Sequence, residues 1–221
     1  DGKLDGSWTE WDERHRMTLY ANYKDGNVVW GVGYSFYDDG SHDGGKFKSK
    51  MNFIDGFTLN GKSRDWYENG KIKSDANYKD GKLDGKYTEW YESGQIKSRA
   101  YFRDGKLDGK WYWWFQNGKI MIDGSYNNGK LHGDYIVWDQ NEKVKIKRLY
   151  ENNQISSEKN YKDGKKDGKQ TGWYKNGQIK LERNFKDGKK DGKWTNWYEN
   201  GQKWSETNYK DGKRDGKYTA W

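Results

Sequence analysis

Residues 80–98 read DGKLDGKYTEWYESGQIKS, and this stretch returns throughout the chain. The copy at 104–121 reads DGKLDGKWYWWFQNGKIM, one period of 24 residues later. Counted from each leading Asp-Gly or Asn-Gly pair, the repeat units start at Asp1, Asp25, Asp55, Asp80, Asp104, Asn128, Asp163, Asp187 and Asp211. A fixed period of this length predicts a repeat architecture. We therefore expect residues 1–221 to form a single repeat array.

Two turn signals alternate within each unit. Pairs such as Ser93-Gly94 and Asn117-Gly118 predict two-residue type I′ hairpin turns. The DGKxDG motif predicts a longer, Gly-rich link. The segments between them are rich in Tyr, Trp, Thr and Ile, which is typical of strands. The sequence therefore predicts an all-β fold, an elongated antiparallel meander of repeated β-hairpins that forms a twisted single-layer ribbon.

A two-residue turn at the Ser-Gly pair fixes which residues face each other across the hairpin. It sets Trp90 opposite Lys97 and Tyr87 opposite Ala100. Because successive strand residues alternate faces, Tyr87, Ile96 and Ala100 share one face and Trp90 lies on the other with Lys97. The same rule pairs Trp66 with Lys73, Trp173 with Lys180, and Trp197 with Trp204. Each Lys over a Trp ring would add a cation–π contact of about 0.5–1 kcal/mol.

The composition argues against a large core. Only 31% of the residues are hydrophobic, and more than half of these are aromatic, since aromatics make up 18% of the chain. A disordered chain would be depleted in aromatic residues. Amphipathic rings suit a thin sheet whose two faces are both partly wet. We therefore expect an ordered ribbon without a large buried interior.

The charge pattern narrows the classes of partner. The net charge of +8 is modest for 221 residues, and Lys alternates with Asp along the predicted links, without a basic arm. This pattern does not predict specific nucleic-acid binding, whereas a carbohydrate or an anionic surface stays a candidate partner. No apolar run is long enough to predict a transmembrane segment. The sequence begins and ends within a repeat, so we expect it to be a piece of a longer array.

Four nearly complete copies of the unit carry a family resemblance. They read WYENGKIKSDANYKDGKLDGKY (66–87), WYESGQIKSRAYFRDGKLDGKW (90–111), WYKNGQIKLERNFKDGKKDGKW (173–194) and WYENGQKWSETNYKDGKRDGKY (197–218). These copies closely resemble the bacterial variant of the MORN repeat, the type found in YwqK-like antitoxin proteins. The resemblance implies hairpin units in an extended array that acts as a scaffold, tether or interaction module, and it implies no catalytic residues.

Two segments depart from the regular pattern. Residues 25–54 contain the insertion-like YDDGSHDGGKFKSK, and residues 141–162 contain NEKVKIKRLYENNQISS. An odd extra strand in a meander reverses the direction of every later strand. We therefore expect the DGKxDG motifs from Asp163 onward to lie on the opposite edge from those before Asn128.

Catalytic chemistry and metal binding are not predicted. His15, His42 and His132 stand in different units without a recurring partner, which is typical of loop histidines. Neither an HExxH motif nor a phosphate-binding loop is present. The Asp-Gly pairs lack the spacing of a calcium loop and stand beside lysines, so turn chemistry explains them better. We expect no cofactor and no enzymatic activity.

Tryptophans at one repeat position are the candidates for binding. The set comprises Trp66, Trp90, Trp114, Trp138, Trp173 and Trp197, with Lys73, Lys97 and Lys180 as flanking cations. These rings would either stack on neighbouring units and hold the ribbon together, or form an exposed ladder for a partner.

Three functions stay open at this point. The favoured hypothesis is a non-enzymatic scaffold, on a bacterial cell surface rather than in the cytoplasm, that binds a protein partner or acts as a spacer. The second is an antitoxin or immunity role, in which the array binds a partner toxin. The third is a carbohydrate- or cell-wall-binding module that uses the aromatic ladder.

Overall fold

The Asp-Gly pairs form the tightest turns of this protein. In the computed structural model, which describes residues 3–37 and 45–221, Asp80 and Gly81 have φ angles of 49° and 77°. The flanking Lys79 and Lys82 are register partners. This is the two-residue type I′ turn, and Asp tolerates its left-handed backbone better than most residues do. The sequence-based assignment of this turn type to the Ser-Gly and Asn-Gly pairs was wrong.

The Ser-Gly pair belongs to a longer turn. Tyr91 N donates to Gln95 O at 2.8 Å and Gly94 N donates to Tyr91 O at 2.8 Å, which leaves three residues in the loop. Gly94 has a φ of 101°, whereas Ser93 has a negative one. This is the three-residue hairpin loop, in which a type I turn is followed by one left-handed residue. The Asn-Gly pairs at 69–70, 176–177 and 200–201 show the same hydrogen bonds.

The longer loop shifts the residues nearest to it by one position. Trp90 is the register partner of Ile96, and a bulge places Lys97 outside the ladder. Beyond the bulge Tyr87 faces Ala100, as the sequence predicted. The predicted partners of the other tryptophans were wrong for the same reason: Trp66 faces Ile72, Trp173 faces Ile179 and Trp197 faces Lys203. Ile96 therefore lies on the face of Trp90 and not on that of Tyr87.

The second Asp-Gly pair of DGKxDG is a bulge within a strand. Gly85 has a φ of 98°, and Asn77 Nδ2 donates to Lys86 O at 2.9 Å across the irregularity. Asn160 and Asn184 make the same bond to the carbonyls of Lys169 and Lys193. A bulge leaves backbone groups without a ladder partner, and these asparagines satisfy one of them in each repeat.

The strands divide between two compact units. The first comprises Asp1–Asp108 and Gln116–Gly118. Its strands are β1 (Gly6–Trp11), β2 (Met17–Lys24), β3 (Asn27–Phe36), β4 (Phe47–Ile54), β5 (Thr58–Trp66), β6 (Ile72–Lys79), β7 (Lys82–Leu83), β8 (Gly85–Trp90), β9 (Ile96–Arg103) and β10 (Lys106–Leu107). The unit start at Asp1, His42 and residues 38–44 of the insertion-like segment lie outside the described residues.

The second unit comprises Gly109–Phe115 and Lys119–Trp221. Its strands are β11 (Gly109–Trp114), β12 (Ile120–Asn127), β13 (Lys130–Leu131), β14 (Gly133–Trp138), β15 (Val144–Glu151), β16 (Gln154–Lys162), β17 (Lys165–Trp173), β18 (Ile179–Lys186), β19 (Lys189–Trp197), β20 (Lys203–Lys210), β21 (Lys213–Arg214) and β22 (Thr219–Ala220). Within each unit the strands pair antiparallel as a meander, in which β7 and β8 both pair with β6, β13 and β14 with β12, and β21 and β22 with β20. The described residues contain no helix. The predicted all-β meander is confirmed.

Little of either unit is buried. Among the described residues the buried apolar side chains are Ala21, Val28, Phe53, Ala76 and Ala100. The three first named form one cluster in the first unit, against which Leu19 and Tyr23 pack. The expected absence of a large core is confirmed for the described part of the chain.

Polar hydrogen bonds connect each repeat to the next. Gly105 N, in one Asp-Gly turn, donates to the carbonyl of Leu83 next to the preceding turn at 2.8 Å. Asp104 N donates to the Asp84 carboxylate at 3.2 Å. On the other edge, Tyr67 Oη donates to Trp90 O at 2.7 Å. These repeats of the first unit therefore offer acceptors to their neighbours at both edges of the sheet.

The strand β16 inverts the repeat within the second unit. Asn152 and Asn153 form a tight turn in place of an Asp-Gly pair, with φ angles of 51° and 70°. Asn153 N donates to Leu131 O, so this turn lies on the edge of the Asn128-Gly129 turn. Asp163 lies on the other edge, where Lys143 Nζ contacts its carboxylate at 2.6 Å. Asp-Gly turns from Asp163 onward therefore occupy the edge that Asn-Gly-type turns occupied before.

The inversion also exchanges the two faces of the repeat. Register partners lie in a row across β14 to β17: Tyr135, Arg148, Glu158 and Thr171. Trp173 shares the face of Thr171, two residues away, whereas Trp138 lies on the face opposite to Tyr135. The tryptophans at one repeat position therefore stand on opposite sides of the sheet before and after β16.

The tyrosine bonds between repeats predict a measurable loss of stability. Tyr174 Oη donates to Trp197 O at 2.7 Å in a partly buried position. We expect Tyr174→Phe to lower the free energy of unfolding by about 1 kcal/mol, because the carbonyl loses its partner. Urea unfolding followed by Trp fluorescence measures the change.

Tyr198→Phe is the matched control, since its hydroxyl lies 3.4 Å from Trp221 O at an exposed position. A loss as large for Tyr198→Phe as for Tyr174→Phe would contradict a role for this bond.

Candidate functional site

We call the face of a repeat that carries its recurring tryptophan the Trp side. In the first unit, Lys62, Arg64 and Trp66 alternate along β5 and therefore project to one side. Together with Lys50, Asn52 and Asp75 they line a shallow basin of about 410 Å³. Arg64 Nη2 contacts the Asp75 carboxylate at 2.9 Å. The basin is thus bordered by an indole, an ion pair and the side chains of Lys50 and Lys62.

The next repeat builds the same basin one period later. Lys86, Thr88 and Trp90 alternate along β8, and with Arg99 and the shared Asp75 and Lys62 they line about 240 Å³. Trp66 and Trp90 are two strands apart, about 9.6 Å, so each ring borders its own basin and does not stack on the other. The described tryptophans at this position are half-buried, except for the end residues Trp11 and Trp221, each 61% exposed. Neighbouring strands therefore cover part of each ring and leave part of it open.

A third basin lies in the second unit, beyond the inversion. Lys169, Thr171 and Trp173 alternate along β17 and border about 480 Å³ with Arg148 and Glu158. Ile179 and Glu182 complete its wall. Glu158 accepts from Arg148 Nε at 2.7 Å and Glu182 accepts from Lys169 Nζ at 2.9 Å. Trp, cation and carboxylate therefore recur together on the Trp side of both units.

Ion pairs next to the basins shift the pKa values of several groups. The hydrogen bond to Glu89, at 2.8 Å, raises the pKa of Lys97. The hydrogen bond to Asp123 raises the pKa of Lys110 in the same way. Hydrogen bonds from Lys203 and Lys193, both at 2.9 Å, lower the pKa of Glu206. These pairs therefore keep their charges near neutral pH.

The structure separates the candidate residues into several environments. Trp66, Trp90 and Trp173 line the three basins. Trp197 lies on the side of Trp173, whereas Trp114 and Trp138 lie on the opposite side of the second unit. The sequence predicted one continuous row, and within this unit that prediction was wrong because β16 inverts the repeat.

The predicted lysines do not lie over the tryptophans. Lys73 Nζ is 5.9 Å from the centre of the Tyr67 ring, and Lys180 Nζ is 5.5 Å from that of Tyr174. Lys97 pairs with Glu89, which alternation places on the side opposite to Trp90. The bulge beside each turn explains the difference, since it removes these lysines from the register of the tryptophan.

Sequence reasoning missed the cations and carboxylates that border the basins. Lys62, Lys86 and Lys169 each stand four residues before the tryptophan of the basin, a spacing that puts both on one face of a strand. That signal was available. The carboxylates Asp75 and Glu182 come from neighbouring strands, and only the register identifies them.

Two further searches gave negative results. In residues 3–37 and 45–221, His, Asp and Glu side chains form no group of three or more that could hold a metal ion. Over the same ranges, no helix has the length and apolarity needed to cross a membrane.

Comparison with known families gives one match. A family model described as a MORN repeat variant matches residues 59–80, 83–104, 107–128, 131–152, 166–187 and 190–211. These segments cover more than half of the chain, and the gap at 153–165 coincides with the inverting strand β16. A comparison with curated proteins gave no match.

The lowered pKa of Glu206 predicts a pH dependence of stability. A carboxylate with a lowered folded-state pKa stabilises the fold above its unfolded pKa of about 4.3, and this contribution is lost as the pH falls through the folded-state pKa. We expect Glu206→Gln to reduce stability at pH 7, by at most about 1 kcal/mol because the group is near the surface. Below the folded-state pKa of Glu206 the variant and the parent should converge.

Thermal unfolding at several pH values measures this difference. Glu199→Gln, in an exposed turn, is the control and should have the stability of the parent at every pH. A difference that grows on acidification would contradict the ion-pair explanation.

Proposed function

Since the chain belongs to the family of MORN repeat variants, we propose that it is a non-enzymatic scaffold that binds a protein partner through the basins of its Trp side. Repeats of this family are generally non-catalytic modules for interaction with proteins or membranes. The proposal goes further, because it commits to a protein and to a side of the sheet.

The recurrence of one composite basin carries this proposal. The basins at Trp66, Trp90 and Trp173 each combine an indole, a cation and a carboxylate, and they hold between about 240 and 480 Å³. The basin at Trp90 is smaller than the roughly 300–1,000 Å³ of small-molecule pockets, and the other two lie at the lower end of that range, so each suits one or two partner side chains. The basins at Trp66 and Trp90 lie in adjacent repeats of one unit, so weak contacts there add up to a specific interaction, because the second contact forms at a high effective concentration.

The chemistry of the basins favours a protein over a sugar. Trp and Arg are the residues most enriched at energetically dominant positions of protein interfaces. A sugar needs an open ring face to stack on, and each of these indoles is half-buried. The antitoxin function is one case of the same proposal, in which the protein partner is a toxin.

The test compares binding by two sets of variants. We expect Trp66→Ala, Trp90→Ala and Trp173→Ala combined to abolish retention of a partner that binds the parent chain at fixed stoichiometry. Pull-down from the source organism identifies the partner, and titration calorimetry with the purified partner measures the affinity. Circular dichroism verifies that the variant is folded.

Trp8→Ala is the matched control. Trp8 is 44% exposed and lies outside the three basins, so its loss should change the affinity less than twofold. A second variant, Lys62→Glu with Lys86→Glu, keeps the indoles and should still weaken binding at least tenfold. The proposal fails if the Trp variant binds the partner as well as the parent does. It also fails if only glycans bind, or if neither class of ligand is retained, which would leave a spacer.

A further inference from the structure

The side of the second unit opposite to Trp173 carries a strip of cations. We define the cationic strip as Lys147, Lys159, Lys166, Arg183 and Lys190, which register and alternation place on one face across β15 to β19. On β17 and β19 this face is opposite to Trp173 and Trp197, whereas Trp138 on β14 shares it. An interaction here is therefore independent of the basins.

From β16 to β20, the described residues that alternate onto this face include no Asp or Glu. The glutamates of these strands project to the other side, where Glu158, Glu182 and Glu206 pair with Arg148, Lys169 and Lys193. At the edge of the strip, Asp167 and Asp191 accept the backbone amides of Asp187 and Asp211. Asp134 and Glu151 stand on β14 and at the end of β15, outside these strands. The strip is thus free of carboxylates from β16 to β19, and on β15 Glu151 alternates onto the same face as Lys147.

Two of its lysines oppose each other directly. Lys147 and Lys159 are register partners on β15 and β16, and both are exposed. In the described part of the chain neither forms an ion pair. Like charges at directly opposed positions destabilise a sheet, whereas opposite charges there stabilise it. An anion bound between them would turn this unfavourable pair into a favourable contact.

A basin of about 320 Å³ lies beside this pair. Lys159, Lys166 and Arg183 border it, with Gln170 and Gly172 between them. Gln170 and Gly172 occupy the repeat positions that Trp194 and Asn196 hold one period later, and the smaller side chains leave the space open. Thr171 and Trp173, which also line the third basin of the Trp side, border it as well. Glu158 borders it too, but its carboxylate accepts from Arg148 on the other face.

Gln170 supplies a second kind of binding group. Its side chain is 6% exposed, and Nε2 donates to Asn160 O at 2.8 Å. Its Oε1 is buried without a hydrogen-bond partner among the described residues. A buried acceptor without a donor is costly, so this position favours a ligand that brings N–H groups together with negative charge.

Phe185 and Trp194 on this face are covered by cations. Lys166 Nζ is 5.2 Å from the centre of the Phe185 ring, Arg183 Cζ is 4.9 Å from that of Trp194, and Lys190 Nζ is 4.4 Å from the same indole. Nucleic-acid bases need open rings on which to stack. A membrane surface favours apolar side chains that can enter the headgroup region. Cation-capped rings present positive charge to a ligand and offer neither.

We propose that the cationic strip binds an acidic peptide segment of a partner protein. Glutamate or aspartate carboxylates lie between Lys147 and Lys159 and beside Lys166, and a peptide N–H donates to Gln170 Oε1. The strip crosses four strand spacings, about 19 Å, which an extended peptide covers with about six residues.

The test titrates fluorescein-labelled hexaglutamate into the full chain at low salt and follows fluorescence anisotropy. We expect hexaglutamate to bind at least tenfold more tightly than hexaglutamine. The variant Lys147→Gln with Lys159→Gln should lose at least tenfold in affinity. The control Lys169→Gln with Lys193→Gln removes the same charge from the other face and should lose less than twofold. Equal losses in the two variants would show a net-charge effect and overturn the proposal.

Two further measurements separate an acidic peptide from other polyanions. Gln170→Met keeps the volume but removes the acceptor, and we expect it to weaken hexaglutamate binding about threefold. A dodecameric oligothymidine or phosphatidylserine vesicles could instead bind more tightly than hexaglutamate and lose this binding in the Lys147/Lys159 variant. That result would overturn the peptide proposal and identify nucleic acid or an anionic membrane as the ligand.

Stability gives an independent readout. Lys159→Gln relieves the opposed pair and should raise the thermal midpoint while it lowers the affinity. A lower midpoint would show that Lys159 serves the fold, and would overturn its role in binding. The proposed function can fail while this one holds, because the two tests share no variant.

Discussion

Each hairpin of this protein depends on its neighbours, because the described strands form a single layer. Few apolar side chains are buried, and the largest of them, Phe53, belongs to one local cluster. The connections between repeats are therefore polar, such as the bond from Gly105 N to Leu83 O and that from Tyr67 Oη to Trp90 O. This explains why the repeat preserves Asp, Gly, Asn and Tyr at fixed positions while its aliphatic content stays low. Stability in such an array comes mainly from contacts between adjacent repeats.

Much of the fold could be predicted from periodicity and alternation. The period, the strand residues and the odd strand near 141–162 follow from the sequence without knowledge of side-chain contacts. The turn types could not be predicted. An Asn-Gly pair suits a two-residue loop, and its Gly equally suits the left-handed third position of a three-residue loop. The neighbouring repeat favours the observed choice, since Gly105 N and Asp104 N both find acceptors beside the preceding Asp-Gly turn. These acceptors belong to another hairpin, so a local motif does not reveal them.

The candidate site shows the same division between local and non-local information. Its tryptophans were identified from the repeat, and the lysines four residues earlier could have been, because spacing along one strand fixes the face. The carboxylates could not, since Asp75 and Glu182 reach the basins from adjacent strands. A bulge of one residue then separated Lys97 from Trp90. Binding chemistry on a single-layer sheet is thus set by cross-strand register, which is the property least visible in a sequence.

The single strand β16 has a geometric consequence. A repeat built of L-amino acids can be rotated but not reflected. When its strands reverse while the stacking direction stays the same, its two faces must therefore be exchanged as well. One added strand thus changes which side of the second unit a repeat presents, without altering any residue that a partner would contact. Two partners bound to equivalent repeats of the second unit before and after β16 would lie on opposite sides of the sheet and would not overlap sterically. Insertion of one strand thus allows the same repeat to bind partners on both faces of a sheet.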